Sequence, residues 1–281
     1  MESQEHRTKA IVFDLDGTLL DGNAEISEFT QTALNEMIRQ GAYFSVATAR
    51  TAATVLRMTE CIHINVPIIL MNGVSVYDTK TNSYVKTHFI EQSSVSRLID
   101  MIEAHDMMGF LYILKEAELA TYYQNGLSES AKKFIEERQR KYKKHFTQID
   151  SFHGLKDKPV IYFSICDLKA KLMPFYESLC DDEQLHIEFY RDVYQEGYWY
   201  LEICSSLASK ENAITFLRKE YHFDKVISFG DNLNDLSMFS GSDESYAVAN
   251  ARPEVKEKAT AVIGSNTEDG VARWLMQREN I

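Results

Sequence analysis

Residues 11–20 read Ile-Val-Phe-Asp-Leu-Asp-Gly-Thr-Leu-Leu, and this stretch decides how the whole chain is interpreted. The uncharged run at its start predicts a β-strand buried on both faces. The strand ends in two carboxylates two positions apart, Asp14 and Asp16, and Gly17 supplies the flexible turn that follows. Ligands of an open parallel sheet bind outside the carboxyl ends of its strands. The two acids and the Thr18 hydroxyl therefore predict a site for a hard metal ion and a phosphate.

An Asp-x-Asp-Gly pattern also occurs in plain turns and in calcium-binding loops. An EF-hand loop counted from Asp14 would place Glu25 at its last ligand position, as such loops require. It would also place Leu19 where the loop needs glycine, and no amphipathic helical pattern precedes it. These departures favour the metal and phosphate site over a calcium loop.

The chain length and the net charge limit the number of domains and the kinds of partner that we expect. The 281 residues fit one large domain or two modest ones. The chain has 42 acidic and 30 basic residues, a net charge of −12, which argues against a general nucleic-acid or anionic-membrane surface. A small phosphorylated partner stays compatible with this charge, because a metal ion and a lysine can reverse the local field inside one cleft.

Cysteine usage and the N-terminal sequence bear on location. The four cysteines show no Cys-x-x-Cys spacing, which predicts reduced thiols in a reducing compartment. The N-terminus is polar, and no apolar run has the length of a signal peptide core or of a membrane span. We therefore expect a cytoplasmic protein with no membrane association.

The pattern of elements predicts two domains. Residues 10–80 and the C-terminal part alternate strand and helix, which predicts an α/β, doubly wound, parallel sheet of Rossmann-like type. The middle of the chain instead places pairs of adjacent strands between helices, which predicts an inserted α+β layer with helices on one face. The predicted boundaries give a core of residues 1–84 with 199–281, and an inserted domain of residues 85–198.

Polar side chains follow the ends of four predicted core strands, and a lysine begins the helix after a fifth. In chain order the residues are Asp14 and Asp16, Thr48, Asn72, Lys210, and Asp231 with Asp235. A carboxylate can attack phosphorus, and a second acid can protonate the leaving oxygen and then activate water. Mg²⁺ shields the anionic nucleophile from the anionic phosphate, and lysine adds a compact positive charge.

These residues resemble the haloacid dehalogenase (HAD) superfamily of phosphohydrolases, in the Cof-type subgroup with a large α/β cap (C2B) inserted after the third core strand. Asp-Leu-Asp-Gly-Thr-Leu (14–19) is similar to the first motif of the superfamily, and Gly-Asp-Asn-Leu-Asn-Asp (230–235) to the fourth. Ala-Thr-Ala-Arg (47–50) and Ser-Lys (209–210) are similar to the second and the third. The resemblance covers nearly the whole chain, and the predicted αββαβαββ order of the middle segment matches this cap type.

The resemblance implies a Mg²⁺-dependent phosphatase of small phosphorylated metabolites that works through an aspartyl phosphate. Asp14 would be the nucleophile and a Mg²⁺ ligand, Asp16 the general acid/base whose backbone carbonyl binds Mg²⁺, and Asp231 the metal carboxylate. The groups implied to hold phosphate are Thr48, Lys210, Asn234 and the backbone amides of Leu15 and Ala49. Asp235 would be a metal-side acid or lie, like Asn72, behind the groups that touch the ligands.

Two positions depart from the subgroup pattern. Ala49 and Glu211 stand where glycine is usual. Neither change removes a group that reacts, so we expect an effect on rate rather than on the type of reaction.

The sequence leaves open both another phosphoryl-transfer reaction and a non-catalytic function. A phosphotransferase or phosphomutase would pass the same phosphoryl group to a sugar hydroxyl, and a phospho-ligand sensor would keep the fold without turnover. The intact set Asp14, Asp16, Lys210 and Asp231 argues against a sensor. A dehalogenase has no need of Asp16, and the missing membrane helices exclude a transport ATPase. The sequence sets neither the substrate nor the oligomeric state.

Overall fold

The computed structural model describes residues 8–192 and 196–278. Their contacts divide the chain into two compact units, Met1–Lys86 with Ser209–Ile281, and Thr87–Ala208. Among the described residues, the first unit holds two sheets and the second holds one, and each unit has its own helices.

The first unit is built from strands and helices that largely alternate along the chain. Its strands are β1 (Lys9–Phe13), β2 (Tyr43–Val46), β3 (Ile68–Leu70), β4 (Ser75–Asp78), β5 (Ser83–Thr87), β12 (Lys225–Gly230), β13 (Glu244–Ala247) and β14 (Ala261–Val262). Its helices are α1 (Glu28–Arg39), α2 (Ala52–Met58), α6 (Lys210–Tyr221), α7 (Asp235–Ser240), α8 (Pro253–Lys258) and α9 (Gly270–Met276).

The central sheet of this unit is parallel. Its strand order is β14-β13-β12-β1-β2, and a single parallel bridge between Ala47 and Ile69 adds β3 beside β2. The chain order reverses direction across the sheet between β1 and β12, which makes their carboxyl ends the switch point where ligands bind in such folds. The predicted α/β fold with a parallel sheet is confirmed, and β3, β4 and β5 form a further three-stranded sheet.

Aromatic side chains pack just beneath the switch point. Phe13 lies with its ring centroid 5.3 Å from that of Phe44 and 5.7 Å from that of Phe229. All three rings are buried, and they come from neighbouring strands β2, β1 and β12. Because Asp14 follows Phe13 and Gly230 follows Phe229, this apolar layer fixes the strand ends that carry the polar residues.

The second unit is an α+β layer. Its strands are β6 (Gly109–Lys115), β7 (Glu118–Gln124), β8 (Thr147–Ile149), β9 (Val160–Leu168), β10 (Leu185–Arg191) and β11 (Tyr198–Ser205), and its helices are α3 (Gln92–Ala104), α4 (Glu129–Tyr142) and α5 (Lys169–Leu179). The sheet order is β10-β11-β9-β6-β7-β8, antiparallel except for the pair β7 and β8.

The helices of this unit lie on both faces of its sheet. Buried residues of α3 and α5 form one apolar core with Leu111 and Ile113 of β6. Phe110 belongs to the opposite face because side chains alternate along a strand, and its ring lies 5.4 Å from that of Phe134 in α4. The expectation of helices on one face therefore holds for α3 and α5, and α4 departs from it.

The second boundary between the units differs from the one predicted. The sequence assigned residues 199–208 to the core, but β11 pairs on both edges inside the six-stranded sheet, with β9 and with β10. Lys210 therefore does not follow a strand of the parallel sheet. It is the first residue of α6, whose Ser209 cap accepts a hydrogen bond from the Asn212 amide at 3.0 Å.

Two further observations concern the whole described chain. Cys61, Cys166, Cys180 and Cys204 are all free thiols. Within residues 8–192 and 196–278, no helix combines the length and the apolar character that crossing a bilayer requires.

Candidate active site

The site begins in the turn that follows β1. The Leu20 amide donates to the Leu15 carbonyl at 2.9 Å, which closes residues 15–19 into one wide helical turn. Gly17 has a φ of +79°, and a Cβ atom there would lie 2.5 Å from Oδ2 of Asp231. Glycine is therefore required both by the backbone and by the close approach of the β12 end.

A buried lysine joins two carboxylates at the centre of the site. Nζ of Lys210 donates to Oδ1 of Asp14 at 2.8 Å and to Oδ1 of Asp235 at 2.7 Å. Lys210 is 1% exposed, Asp14 6% and Asp235 0%. Burial opposes the charge on Lys210, but the attraction of Asp14 and Asp235 outweighs it and raises the pKa of the ammonium. The lysine is therefore held as a cation between two acids.

The positive charge of Lys210 does not fully offset the effects of burial and of neighbouring acids on the pKa of Asp14. Burial, and next the Asp235 carboxylate, raise the pKa of Asp14 well above its usual value, although Lys210 acts in the opposite direction. Burial, and next Asp235, likewise raise the pKa of Asp231 to about 6, while a hydrogen bond of 3.1 Å from the Thr18 hydroxyl lowers it. Three acids close together would be stabilised by further positive charge.

These carboxylates meet the requirements of a hard metal ion. Asp14, Asp231 and Asp235 each offer an oxygen, and these oxygens lie within 4.8 Å of one another. Asp235 already accepts Lys210 on Oδ1, and on Oδ2 it accepts the amides of Asp231 at 2.9 Å and Asn232 at 3.0 Å. Asp14 and Asp231 are therefore the side chains suited to hold Mg²⁺, and Asp235 orients the groups around them.

Asp16 lies apart from that cluster and pairs with an arginine. Nε of Arg50 donates to Oδ2 of Asp16 at 2.7 Å, and Nη2 donates to Oδ1 at 2.6 Å. This is a parallel, two-bond contact between a planar guanidinium and a carboxylate. Arg50 belongs to the 47–50 motif, but no role for it was predicted from the sequence; the signal for one was its position two residues after Thr48.

The remaining predicted residues lie around the same strand ends. Thr48 is buried, and its Oγ1 accepts the Arg50 amide at 3.2 Å. The Asn72 amide donates to the Thr48 carbonyl at 3.0 Å, and Nδ2 of Asn234 donates to Oδ1 of Asn72 at 3.1 Å. Asn72 thus links the Thr48 turn to the turn that holds Asn234. Two predicted phosphate contacts are backbone amides, those of buried Leu15 and exposed Ala49.

A tight turn after β3 supports the start of α6. Met71, Asn72 and Gly73 all have positive φ, and that of Gly73 is +99°. A Cβ atom on Gly73 would overlap the carbonyl group of Ser209, next to Lys210. The absence of a side chain at Gly73 therefore lets the helix that carries Lys210 approach this turn.

Comparison with known proteins decides the family. The family model described as haloacid dehalogenase-like hydrolase matches residues 11–275. The chain belongs to this family. The resemblance predicted from the four motifs, including its Cof-type subgroup, is therefore confirmed for this haloacid dehalogenase-like hydrolase.

Curated relatives and a solved structure agree along almost the full length. Pyridoxal phosphate phosphatase YbhA of Escherichia coli (strain K12) is 24% identical over 275 residues, which cover 95% of this chain and 97% of the relative. The 5-amino-6-(5-phospho-D-ribitylamino)uracil phosphatase YwtE of Bacillus subtilis (strain 168) is 28% identical, with coverage of 96% and 97%. The crystal structure of TM0651 from Thermotoga maritima is 25% identical, with a TM-score of 0.80 and coverage of 98% of each chain.

The reaction class follows from the family and its relatives. This haloacid dehalogenase-like hydrolase is a phosphatase, as the sequence predicted. Hydrolases of this family generally use Mg²⁺, and the acidic cluster Asp14, Asp231 and Asp235 could hold a metal ion.

Proposed function

We propose that this phosphatase hydrolyses phosphomonoesters of small metabolites through an aspartyl phosphate on Asp14, with Mg²⁺ as cofactor. The observation that carries the proposal is the buried contact of Lys210 with Asp14 and Asp235, beside Asp231. A carboxylate fixed by a cation at a strand end is suited to attack an incoming phosphorus atom. A mere ligand sensor has no need of a nucleophile held in this way.

The first half of the reaction forms the phosphoenzyme. An oxygen of Asp14 bonds to phosphorus, and the bond from phosphorus to the leaving oxygen breaks. Asp16 gives its proton to that oxygen, so the product leaves as an alcohol. The exposure of Asp16 and its position two residues after the nucleophile support this role, and Arg50 orients its carboxylate.

The second half releases phosphate. Asp16, now a carboxylate, takes a proton from water while the water oxygen bonds to phosphorus. The bond to Asp14 breaks, and inorganic phosphate leaves. Lys210 stays paired with Asp14 throughout and balances charge on the phosphoryl oxygens.

Phosphate and metal are held by the remaining groups at the strand ends. Thr48, Asn234 and the amides of Leu15 and Ala49 would bind the phosphoryl oxygens. Asp14, Asp231 and the backbone carbonyl of Asp16 would hold Mg²⁺. When bound, Mg²⁺ neutralises charge on the phosphate and on the nucleophile. Burial, and next the like charges of neighbouring acids, raise the pKa values of Asp14 and Asp231, which supports the assignment.

For the substrate we propose a broad chemical class of phosphorylated small molecules. Two of the relatives are named as phosphatases of pyridoxal phosphate and of a phosphorylated ribitylamino-uracil. We infer a sugar phosphate or a nucleotide or cofactor phosphate for this chain, with the inserted unit setting the choice. The acidic charge and the free cysteines support action on small molecules in the cytoplasm.

Phosphate release from an aryl phosphate tests the proposal. We expect release by the wild type with Mg²⁺, little release after chelation, and none from Asp14→Asn. Asp21→Asn, which changes an acid in the loop after the turn, is the matched control and should retain activity. Release by Asp14→Asn at the wild-type rate would contradict the proposal. Release of the aryl alcohol without inorganic phosphate, seen only when a sugar hydroxyl is added, would favour a phosphotransferase.

A further inference from the structure

The sheet of the second unit ends in two edge strands of different length. In the order β10-β11-β9-β6-β7-β8, the outer strands among the described residues are β10 and β8. β8 has three residues, whereas β10 has seven. An edge strand exposes a row of backbone donors and acceptors, and proteins usually limit it by shortness, lysine, proline or a bulge. β10 contains neither lysine nor proline, and its register with β11 has no shift.

Hydrogen bonds at both ends of β10 fix the edge to which each residue directs its backbone groups. The Asp192 amide donates to the Tyr198 carbonyl at 2.9 Å, and the Ser206 amide donates to the Gln184 carbonyl at 3.0 Å. Residues of an antiparallel strand direct their backbone groups to its two edges in alternation. The even-numbered residues of β10 therefore face β11, as Gln184 and Asp192 do.

The odd-numbered residues of β10 consequently direct their backbone groups to the open edge. The Leu185 amide is already used there, because it donates to the Asp182 carbonyl at 3.0 Å. Ile187, Phe189 and Arg191 face no further strand among the described residues. These three alternate positions thus offer three N–H donors and three carbonyl acceptors along one line.

This open edge is complementary to itself. A second copy of β10 can run antiparallel beside the first, related by a two-fold axis at Phe189. Phe189 then faces its own counterpart, and Ile187 faces Arg191 of the second copy. Each facing pair exchanges two N–H···O=C bonds. An axis at Ile187 would instead require the Leu185 amide, which is already bonded, so Phe189 is the centre that the hydrogen bonds favour.

The side chains suit this pairing on both faces of the sheet. On one face, the Phe189 ring lies 4.9 Å from that of Tyr176 and 4.8 Å from that of Trp199, and a second copy would extend this aromatic cluster. On the other face, Glu188 would lie opposite Tyr190 of the second copy, so two like charges do not face each other directly. Tyr190 is 42% exposed, and the pairing would cover part of its ring.

We propose that this protein forms a two-fold dimer in which β10 of one copy pairs antiparallel with β10 of another, so that two six-stranded sheets become one. A second copy is the partner that the strand favours, because its free backbone groups and its side chains match their own two-fold image about Phe189. An unrelated extended segment would gain the backbone bonds alone. The contact lies wholly in the second unit, so the proposal is independent of the function proposed for Asp14.

Sedimentation velocity of the full-length chain tests the dimer. Between about 1 μM and about 1 mM protein, the range in which weak complexes form, we expect the mean mass to rise toward twice that of the monomer. Phe189→Lys should stay monomeric, because two ammonium groups would face each other at the axis. Thr147→Lys places the same charge on exposed β8, the other edge strand, and should associate like the wild type. A wild type that stays monomeric at about 1 mM would overturn the proposal.

Mixing two variants tests the contact at the axis. Phe189→Glu alone should also stay monomeric, because two carboxylates would face each other. An equimolar mixture of Phe189→Lys and Phe189→Glu should regain association, because the facing charges are then opposite. Association of Phe189→Lys alone at the wild-type level would show that another surface forms the contact.

Hydrogen exchange of the wild type tests the register without any variant. The rates of single amides would be measured by mass spectrometry with electron-transfer fragmentation at both ends of the concentration range. We expect the amides of Ile187, Phe189 and Arg191 to exchange about tenfold more slowly at high concentration, whereas the Tyr190 amide, which faces β11, keeps one rate. No added protection at Phe189, or equal added protection at Tyr190, would contradict the proposed pairing.

Discussion

Arg50 donates two parallel hydrogen bonds to the carboxylate of Asp16, from Nε at 2.7 Å and from Nη2 at 2.6 Å. The two residues belong to turns that follow adjacent strands β1 and β2. The guanidinium therefore fixes the direction of the carboxylate that we propose as general acid and base. Lysine cannot reproduce this contact, because its ammonium lacks the planar pair of donors.

Replacement of Arg50 should impair proton transfer more than phosphoryl binding. We expect Arg50→Gln to lower kcat by about tenfold to a hundredfold for an alkyl phosphate, the usual size of loss when a group that orients a functional side chain is removed. An aryl phosphate with a good leaving group needs less protonation, so its kcat should fall less. Steady-state kinetics on both substrates measures the difference. Equal losses for the two substrates would show that Arg50 does not position the proton donor.

The Lys210 contact predicts a joint loss of stability and activity. Lys210→Met leaves the buried Asp14 and Asp235 without their cation, and breaking such a pair typically costs about 3–5 kcal/mol. Urea unfolding and turnover with Mg²⁺ measure the two effects. Lys219→Met changes an exposed lysine of the same helix and should behave as wild type. An active, fully stable Lys210→Met protein would refute the assigned arrangement.

Substitution of Gly73 and of Gly41 distinguishes the effect of close packing from the effect of backbone conformation. Gly73 and Gly41 both have φ near +100°, at +99° and +103°. A Cβ on Gly73 would overlap Ser209, whereas one on Gly41 would meet no atom of the described residues within 4 Å. We expect Gly41→Ala to cost about 1–3 kcal/mol with activity kept, as for a residue in a rarely populated conformation. Gly73→Ala should cost more and should also lower kcat, because α6 must move.

The measurement for this pair is urea unfolding together with turnover. Equal losses of stability in the two variants, with full activity in Gly73→Ala, would mean that only the backbone conformation matters. The prediction that Gly73 supports Lys210 would then be wrong.

The sheet of the inserted unit predicts a pH effect on stability. Burial, and then the facing Glu188 carboxylate, raise the pKa of Glu202 to about 7. The folded state thus favours the protonated form of Glu202. The contribution of this carboxyl to the free energy of unfolding is fully present below its unfolded pKa of about 4.3, and it is lost as pH rises to about 7. Glu202→Gln should therefore lose less free energy of unfolding than wild type between about pH 5 and pH 8.

Urea unfolding at both pH values provides the test for Glu202. Glu118→Gln alters an exposed acid on another strand of the same sheet and should follow the wild type. If Glu202→Gln shows the same pH dependence as the wild type, Glu202 is not the group responsible.

Much of the site was predictable from local sequence. The run before Asp14 could be interpreted as a buried parallel strand, and the carboxyl ends of such strands share one edge. That rule alone brings Asp14, Thr48, Asn72 and Asp231 together, as the structure has them. Their chemical roles stay predictions.

The features that could not be predicted from the sequence depend on contacts between residues far apart in the chain. Residues 198–205 look like any strand that precedes a helix, and only their antiparallel partners assign them to the inserted unit. The contact between Arg50 and Asp16 joins residues 34 positions apart in the chain. The contacts of Lys144 with the rings of Tyr112, Phe134 and Phe146 need β6, α4 and the segment after α4 to meet, and no local pattern encodes that meeting.

Borohydride trapping of the phosphoenzyme is the sharpest test of Asp14 as the nucleophile. The wild type would be mixed with an aryl phosphate and Mg²⁺, quenched, reduced and mapped by peptide mass. We expect the aspartyl phosphate to be reduced to homoserine at position 14, and no such product to form in Asp14→Asn or without substrate. Homoserine at another aspartate, or steady turnover with no trapped product at position 14, would contradict it.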